Sequence, residues 1–396
     1  MSLIRPFFRN VSEKITIKKK RKKMISINKK RLALISFIIL MSFSACAQAN
    51  IEKDTKQLKV VFVYNGPIGD LGWIYAHEQG RKYLQENMPQ IETTYIENVT
   101  EGGPEAERVI GDYAVNGYNL IFGTTYGYGD AIHAVAVAFP NVFFEHNTGY
   151  DIAPNVSTYY GRMYQARFLT GLVAGSMTKS NVIGFVGAFP IPQVVRGINA
   201  FALGVQVVNP DAKVHVVWTQ SWFDPVLERE AAESLVNIGV DVIAQHENSA
   251  EAQKVAEENN IWGVGYNTDM SDQAPNASLT SAIWNWGPYY VKEAQAVLDG
   301  TWESKRYWGG LKDRIVDIAP YNDAVPQEVR DMVEIWRKKI SETDWDVFEG
   351  PIYAQNGDLV LAEGVGFNDD YLLNEMDWFV QGVVGEAGAL PPAVKP

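Results

Sequence analysis

Leu58-Lys59-Val60-Val61-Phe62-Val63-Tyr64-Asn65, followed at once by Gly66-Pro67, is the stretch on which the fold turns. A short, almost unbroken apolar run that stops at turn residues has the character of a parallel strand buried on both faces, and such a strand should lead into a helix. Trp73 to Met88 fits, with apolar and aromatic residues at helical spacing among charged ones, and Ile91 to Ile96 reads as the next strand. The alternation continues with a helix over Pro104 to Asn116, a strand at Asn119 to Gly123, a helix over Asp130 to Phe139 and a strand at Val142 to Glu145. After a small-residue helix, Tyr164 to Met177, the pattern restarts. Strands are expected at Val182 to Val186, Lys213 to Trp218, Val240 to Gln245 and Trp262 to Gly265, separated by helices at Val194 to Val207, Pro225 to Ile238 and Ala250 to Glu258. This order implies an α/β protein of two doubly wound parallel-sheet lobes. The expected division is 58–160 for the first lobe, 161–285 for the second, and 286–396 for a hinge return and a C-terminal segment that completes both. That last part holds a helix at Gly287 to Gly300 and a hairpin around Gln355-Asn356-Gly357-Asp358. The lobes are joined without a low-complexity linker, which suggests a hinge.

The first 49 residues read as an export signal. The basic run Lys18 to Lys23 and Lys29-Lys30-Arg31 precedes the apolar run Leu32 to Ala45, which is too short for a membrane-spanning helix. Met24 would also start a leader of ordinary length. Phe43-Ser44-Ala45-Cys46 resembles a bacterial lipobox, and Ala47-Gln48-Ala49 fits ordinary signal peptidase. The lipobox is preferred because the chain's one cysteine, Cys46, stands at the processing site. The remainder then has no disulfide and no cysteine-based zinc site. The leader carries 12 of the 35 Lys and Arg but 1 of the 47 Asp and Glu, so its removal leaves 23 basic against 46 acidic residues. Such a surface repels phosphate backbones, and nucleic acid is not an expected partner.

Four aromatic clusters interrupt the chain where strands should end: Gly69-Asp70-Leu71-Gly72-Trp73, Thr124-Thr125-Tyr126-Gly127-Tyr128, Ser221-Trp222-Phe223-Asp224-Pro225 and Trp284-Asn285-Trp286. In open parallel sheets ligands collect at the carboxyl ends of strands, so one cleft between two lobes would gather all four. Rings there can clamp a flat ligand while Asp, Asn and Thr groups read its edge.

The segments Gly-Pro-Ile-Gly-Asp-Leu-Gly-Trp (66–73), Ala-His-Glu-Gln-Gly-Arg (76–81), Phe-Glu-His-Asn-Thr-Gly-Tyr (144–150), Phe-Pro-Ile-Pro-Gln-Val-Val-Arg-Gly-Ile-Asn-Ala-Phe (189–201) and Trp-Phe-Asp-Pro (222–225) together resemble substrate-binding proteins of the basic membrane protein group, relatives of bacterial purine nucleoside receptors that serve ABC transporters. The resemblance implies a type I periplasmic-binding fold closing on a purine. It places Trp73 at the first-lobe stacking position after the base-reading Asp70, Trp222 or Phe223 at the second-lobe position, Thr124, Thr125 and Tyr126 on the pocket floor, and Gln245-His246 in the equivalent loop. Nucleoside-binding relatives hold ribose with a Lys and an acidic residue, where this chain has Trp284 and Asn267. That departure favours a free base such as adenine over a nucleoside, with Trp284 and Trp286 filling that end of the cleft and Asp269 close by. The implied partners are a purine and an ABC permease, with membrane contact only through a lipid anchor. The expected state is a monomer without cofactor or metal.

Each candidate also has a plainer reading. Trp73 and Asp70 could merely open and cap a helix, Asp224 is expected to cap the helix after it, and Trp222 and Phe223 could be core rings. His146 is expected to be structural, and His77, His133, His215 and His246 show no metal spacing. Trp284 and Trp286 alternate, so in a strand only one of them would point to a given face. Phosphate-loop, dinucleotide and nucleophile-elbow motifs are absent. A nucleosidase is the enzyme alternative, but its Asp-x-Asp-x-x-x-Asp-Asp spacing is not found.

Overall fold

The computed structural model of the protein describes residues 57–69 and 71–387. The segment expected to be a leader, with Cys46, and Asp70 lie outside these residues. β1 (Lys59–Val63) has four of its five residues fully buried. It leads into α1 (Trp73–Asn87), β2 (Glu92–Ile96), α2 (Gly103–Val115), β3 (Leu120–Gly123), α3 (Gly129–Ala138), β4 (Phe143–Asn147) and β5 (Val156–Gly161). Then α4 (Met163–Met177) begins a second round: β6 (Val182–Gly187), α5 (Pro192–Val208), β7 (Lys213–Trp218), α6 (Pro225–Asn237), β8 (Val242–His246), α7 (Glu251–Glu258), β9 (Trp262–Asn267) and β10 (Ser278–Trp284). The expected elements agree with these to within a few residues, because β1, β3, β6 and β8 are apolar on both faces while the helices carry one apolar side.

The strand at 156–161 and everything between 306 and 384 outside the hairpin were not anticipated. After α8 (Gly287–Asp299) come β11 (Arg306–Gly309), β12 (Val316–Ile318), α9 (Gln327–Glu342), the antiparallel hairpin β13 (Ile352–Tyr353) and β14 (Leu359–Leu361), α10 (Asp369–Asn374) and β15 (Val383–Val384). The first sheet has the order β11-β5-β4-β3-β1-β2 and the second β12-β10-β9-β8-β6-β7-β15. Pairing is parallel throughout except for β12 against β10. The two sheets therefore repeat one strand order, and the fold is the type I periplasmic-binding arrangement. The chain passes between sheets three times: from β5 to α4, from β10 to α8, which packs on α1, and from β11 to β12.

The second-sheet core depends on the small residues of α4. A Cβ on Gly171 would run into the Phe201 carbonyl, and one on Gly204 into that of Phe168, so α4 and α5 touch backbone to backbone. Among the described residues, no helix is long and apolar enough to cross a membrane.

Candidate functional site

In both sheets strand order reverses beside the first strand of the round, between β1 and β3 and between β6 and β8. Loops leaving the carboxyl ends on either side of such a reversal diverge and leave a crevice. A cavity of about 870 Å³ lies there, lined by both lobes. Trp73, Thr125 and Tyr126 border it from the first lobe, and Trp222, Phe223 and His246 from the second. Trp73 and the Trp222-Phe223 pair thus share one crevice instead of being sealed in separate cores.

Trp73 is the first residue of α1 and is held firmly. Its Nε1 donates to the Thr124 carbonyl at 2.9 Å. Its ring meets His77 edge-on at 4.7 Å, Trp284 at 5.6 Å and Trp286 at 6.0 Å. Trp284 and Trp286 stack on each other at 4.6 Å and 11°, and His77 stacks on Trp286 at 5.0 Å. The alternation expected of the two tryptophans does not apply, because the strand ends at Trp284 and Trp286 already stands at the head of α8. His77 is fully buried, donor or acceptor to Tyr290 Oη at 2.5 Å, and burial holds its pKa well below the usual imidazole value.

The opposite wall is looser. Trp222 and Phe223 are 38% and 49% exposed, and among the rings of the described residues Trp222 meets only Phe189 (5.1 Å) and His246 (6.2 Å). Asp224 fixes the loop by accepting from Val226 N and Leu227 N, both at 3.1 Å, as a helix cap does. Behind the loop, Thr219 Oγ1 donates to Glu247 at 2.9 Å, and Ser249 Oγ donates to Glu228. Burial, and then the nearby Glu228, push the Glu247 carboxyl up to about 9.

On the first-lobe side, Glu101 accepts from Asn65 Nδ2 at 2.5 Å and from Thr125 Oγ1. His146 contacts the Thr125 and Tyr126 carbonyls at 3.0 and 3.1 Å through Nε2, so it shapes this loop from behind, and burial pushes its pKa down to about 4. Tyr126 is 63% exposed and meets Tyr150 at 5.9 Å. The lobes touch at the rim: Thr268 Oγ1 donates to the Leu71 carbonyl at 2.6 Å, and a Cβ on Gly72 would lie 2.6 Å from Asn248 Cα.

Six sequence candidates do not border this cavity; two of them are Thr124, buried just past β3 with its Oγ1 donating to the Val63 carbonyl at 2.8 Å, and Trp286, buried in its stack with Trp284. Gln245 precedes His246 in β8 and so points to the other face, where it donates to Ser249 O at 2.6 Å and accepts from Gln253 Nε2 at 2.9 Å. Asp269 lies beyond β9, exposed, accepting from Ser271 N at 3.0 Å. Trp284 is buried beneath the wall and donates Nε1 to Asn267 Oδ1 at 3.0 Å. Asn285 faces a separate cavity of about 300 Å³ behind the crossover, with its Nδ2 on the Arg314 carbonyl at 2.8 Å. Asn267 does border the crevice, as do Asn248 and Tyr266.

Residues the sequence did not single out complete the walls. Arg196 on α5, only 3% exposed, gives Nη1 to the Leu372 carbonyl. Its place in Gln-Val-Val-Arg-Gly, one turn into a helix that starts at a strand end, was the available signal. Asp370, Leu373 and Asn374 of α10 border the cavity too, and Asp369 accepts from Arg162 at 2.9 and 2.6 Å. A contribution from so far along the chain has no local signature. No group of three or more His, Cys, Asp and Glu that could hold a metal ion occurs among the described residues.

A family model described as "ABC transporter substrate-binding protein PnrA-like" matches residues 57–344. A purine-binding protein of Brucella abortus is 45% identical over 329 residues, covering 83% of this chain and 93% of its own length. An ABC transporter protein of Haloferax volcanii named for glucose binding is 40% identical over 329 residues, with 83% and 81% covered. Among solved structures, an ABC transporter solute-binding protein of Conexibacter woesei superposes with a TM-score of 0.64 at 22% identity, covering 73% of this chain and 98% of that one.

Proposed function

The chain belongs to the PnrA-like family of ABC transporter substrate-binding proteins, and from that premise we propose that it captures a free purine base, adenine or a close relative, between its two lobes and hands it to a membrane permease without performing chemistry. The observation that carries the reading is the meeting of Trp73 and Trp222-Phe223, from opposite lobes, on one crevice. Base stacking on such rings contributes about 1 to 3 kcal/mol per base and tolerates any purine. The purine-binding relative supports the ligand class. Closure follows because a ligand touching both walls prefers the state that brings them together.

A base fits better than a nucleoside. Asn267 is uncharged and already committed, giving Nδ2 to Asn248 Oδ1 at 2.9 Å and accepting from Trp284 Nε1, so no charged partner for ribose stands there. The edge reader on the first lobe would be Asp70. The relative named for glucose binding favours a second reading, a sugar held by Asn65, Asn98, Asn248 and Asn267. Mass spectrometry of the small molecule that copurifies with the protein tests both, followed by calorimetric titration with adenine, guanine, hypoxanthine, adenosine and glucose. Glucose binding without purine binding would sink the proposal, and release of base from adenosine or inosine on incubation would favour a nucleosidase.

Export and tethering through a lipidated Cys46 belong to the same proposal, as does a monomeric state. Fatty-acid labelling that persists in Cys46→Ala would refute the tether.

A further inference from the structure

Behind the second-lobe wall sits a cation with no counter-ion among the described residues. Arg167, on α4, is fully buried, and among the described residues none of Nε, Nη1 and Nη2 has an acceptor in strict hydrogen-bonding geometry. Its guanidinium lies 4.0 Å from the centroid of the Tyr266 ring, and the groups that favour its charge are Tyr266, through both its charge and a loose contact with its hydroxyl, and Tyr160, neither of them a carboxylate. Burying a charge in this way is expensive and calls for a return elsewhere.

The neighbour that could benefit is His246. Nδ1 of His246 and Cγ and Nε of Arg167 converge on one spot, 3.7, 3.8 and 3.9 Å from where a Cβ on Gly197 would stand. His246 Nδ1 is sealed from solvent and has no hydrogen-bond partner among the described residues, while the ring borders the crevice, so the nitrogen left to the cavity is Nε2. Burial, and then the Arg167 and Arg196 charges, hold the imidazole neutral. A neutral imidazole carries one N–H and one lone pair, and a guanidinium offers only N–H groups and positive charge. Nδ1 is the imidazole nitrogen that shares this spot with Arg167, so the lone pair is favoured there, which leaves the proton on Nε2.

We propose that Arg167 sets the tautomer of His246, so that Nε2–H projects into the crevice as a donor to a ring-nitrogen acceptor of the bound base. His246 then reads the ligand, and Arg167 is a positioning residue that acts through it. The proposal rests on the purine reading, since purines carry bare ring nitrogens such as N3 and N7 that accept hydrogen bonds. An acidic first-lobe reader takes donors from one edge while His246 supplies a donor to another.

Two measurements test it. Nitrogen-15 NMR of labelled histidine in the empty protein reads the tautomer with no ligand present: a protonated Nε2 and bare Nδ1 are expected in the native protein, and a mixture of tautomers in Arg167→Met. A protonated Nδ1 in the native spectrum overturns the proposal. The second measurement compares binding of adenine with that of 1-, 3- and 7-deazaadenine. One of these should bind the native protein about tenfold more weakly than adenine, the cost of a lost acceptor. That gap should vanish in His246→Phe, narrow in Arg167→Met and persist in Arg167→Lys. A merely structural Arg167 would instead weaken all four ligands alike, and a gap that survives in His246→Phe also overturns the proposal. If none of the four binds, the purine reading fails, while the spectrum still decides the tautomer; if Arg167→Met does not fold, the native spectrum and the His246→Phe titrations still decide the proposal.

Discussion

Truncating Trp222 and truncating Trp73 should have different signatures, although both would remove a ring from the same ligand. Trp222 is 38% exposed, and its nearest ring, Phe189, lies 5.1 Å away. Its loop is fixed by Asp224 and Glu228 independently of the indole. Trp222→Ala therefore loses about 1 to 3 kcal/mol of base stacking, which is roughly fivefold to 150-fold in Kd. Its stability cost is about 1 kcal/mol or less, the scale of one aromatic pair. Trp73 is different. Its removal strips edge contacts from His77, Trp284 and Trp286 and leaves the buried Thr124 backbone without the 2.9 Å indole donor. Large-to-small changes of a buried aromatic cost about 3 to 5 kcal/mol, and an orphaned acceptor about 1 to 3 kcal/mol; since Trp73 is half-buried, we expect a total of roughly 3 kcal/mol. Calorimetric titration with adenine and differential scanning calorimetry of the empty protein separate the two effects. Normal binding by Trp222→Ala, or native-like unfolding of ligand-free Trp73→Ala, would refute the reasoning.

Three further outcomes are expected. The folded pKa of Glu247, about 9, lies above its ordinary value, so the folded protein holds an extra proton in between and stability falls as pH rises from about 5 towards 9; thermal unfolding followed against pH should show Glu247→Gln gaining on the native protein at pH 8 relative to pH 5. Glu145, pushed up to about 8 by burial and then by Glu293, adds a slope of the same sign that the substitution leaves in place. Gly72→Ala should weaken ligand binding while barely moving the melting temperature, because the added methyl meets Asn248 only when the lobes meet; small-angle scattering with ligand would show a less compact particle, and native compaction would count against it. Glu101→Gln should loosen Asn65 and Thr125, and a several-fold rise in Kd is expected by titration.

The repeated alternation of strands and helices was legible in the sequence because buried parallel strands such as Val60–Val63 are apolar on both faces and stand out from loops. β5 was missed because Val156-Ser157-Thr158-Tyr159-Tyr160-Gly161 mixes polar residues into a buried strand, whose Ser157 is occupied by Lys305 N at 3.1 Å. The rings that border the crevice were found because aromatic residues in Gly-rich or Pro-bounded loops stand out from helical periodicity. Gln245 was misplaced by one residue of strand alternation, which sends its side chain to α7 while His246 faces the crevice. Arg167 left no trace: in an apolar helix it reads as an ordinary interruption until Tyr266 and His246 are brought against it.

The two walls of the crevice differ in how freely they can be rewritten. The Trp73 side leans on His77 and on the Trp284-Trp286 stack, and those tryptophans sit where the chain crosses from the second sheet back towards the first. Substitutions there would disturb the crossover along with the wall. The Trp222-Phe223 side hangs on a capped loop with few dependants. Drift in ligand preference within such a scaffold should accumulate in that loop, leaving the opposite ring unchanged.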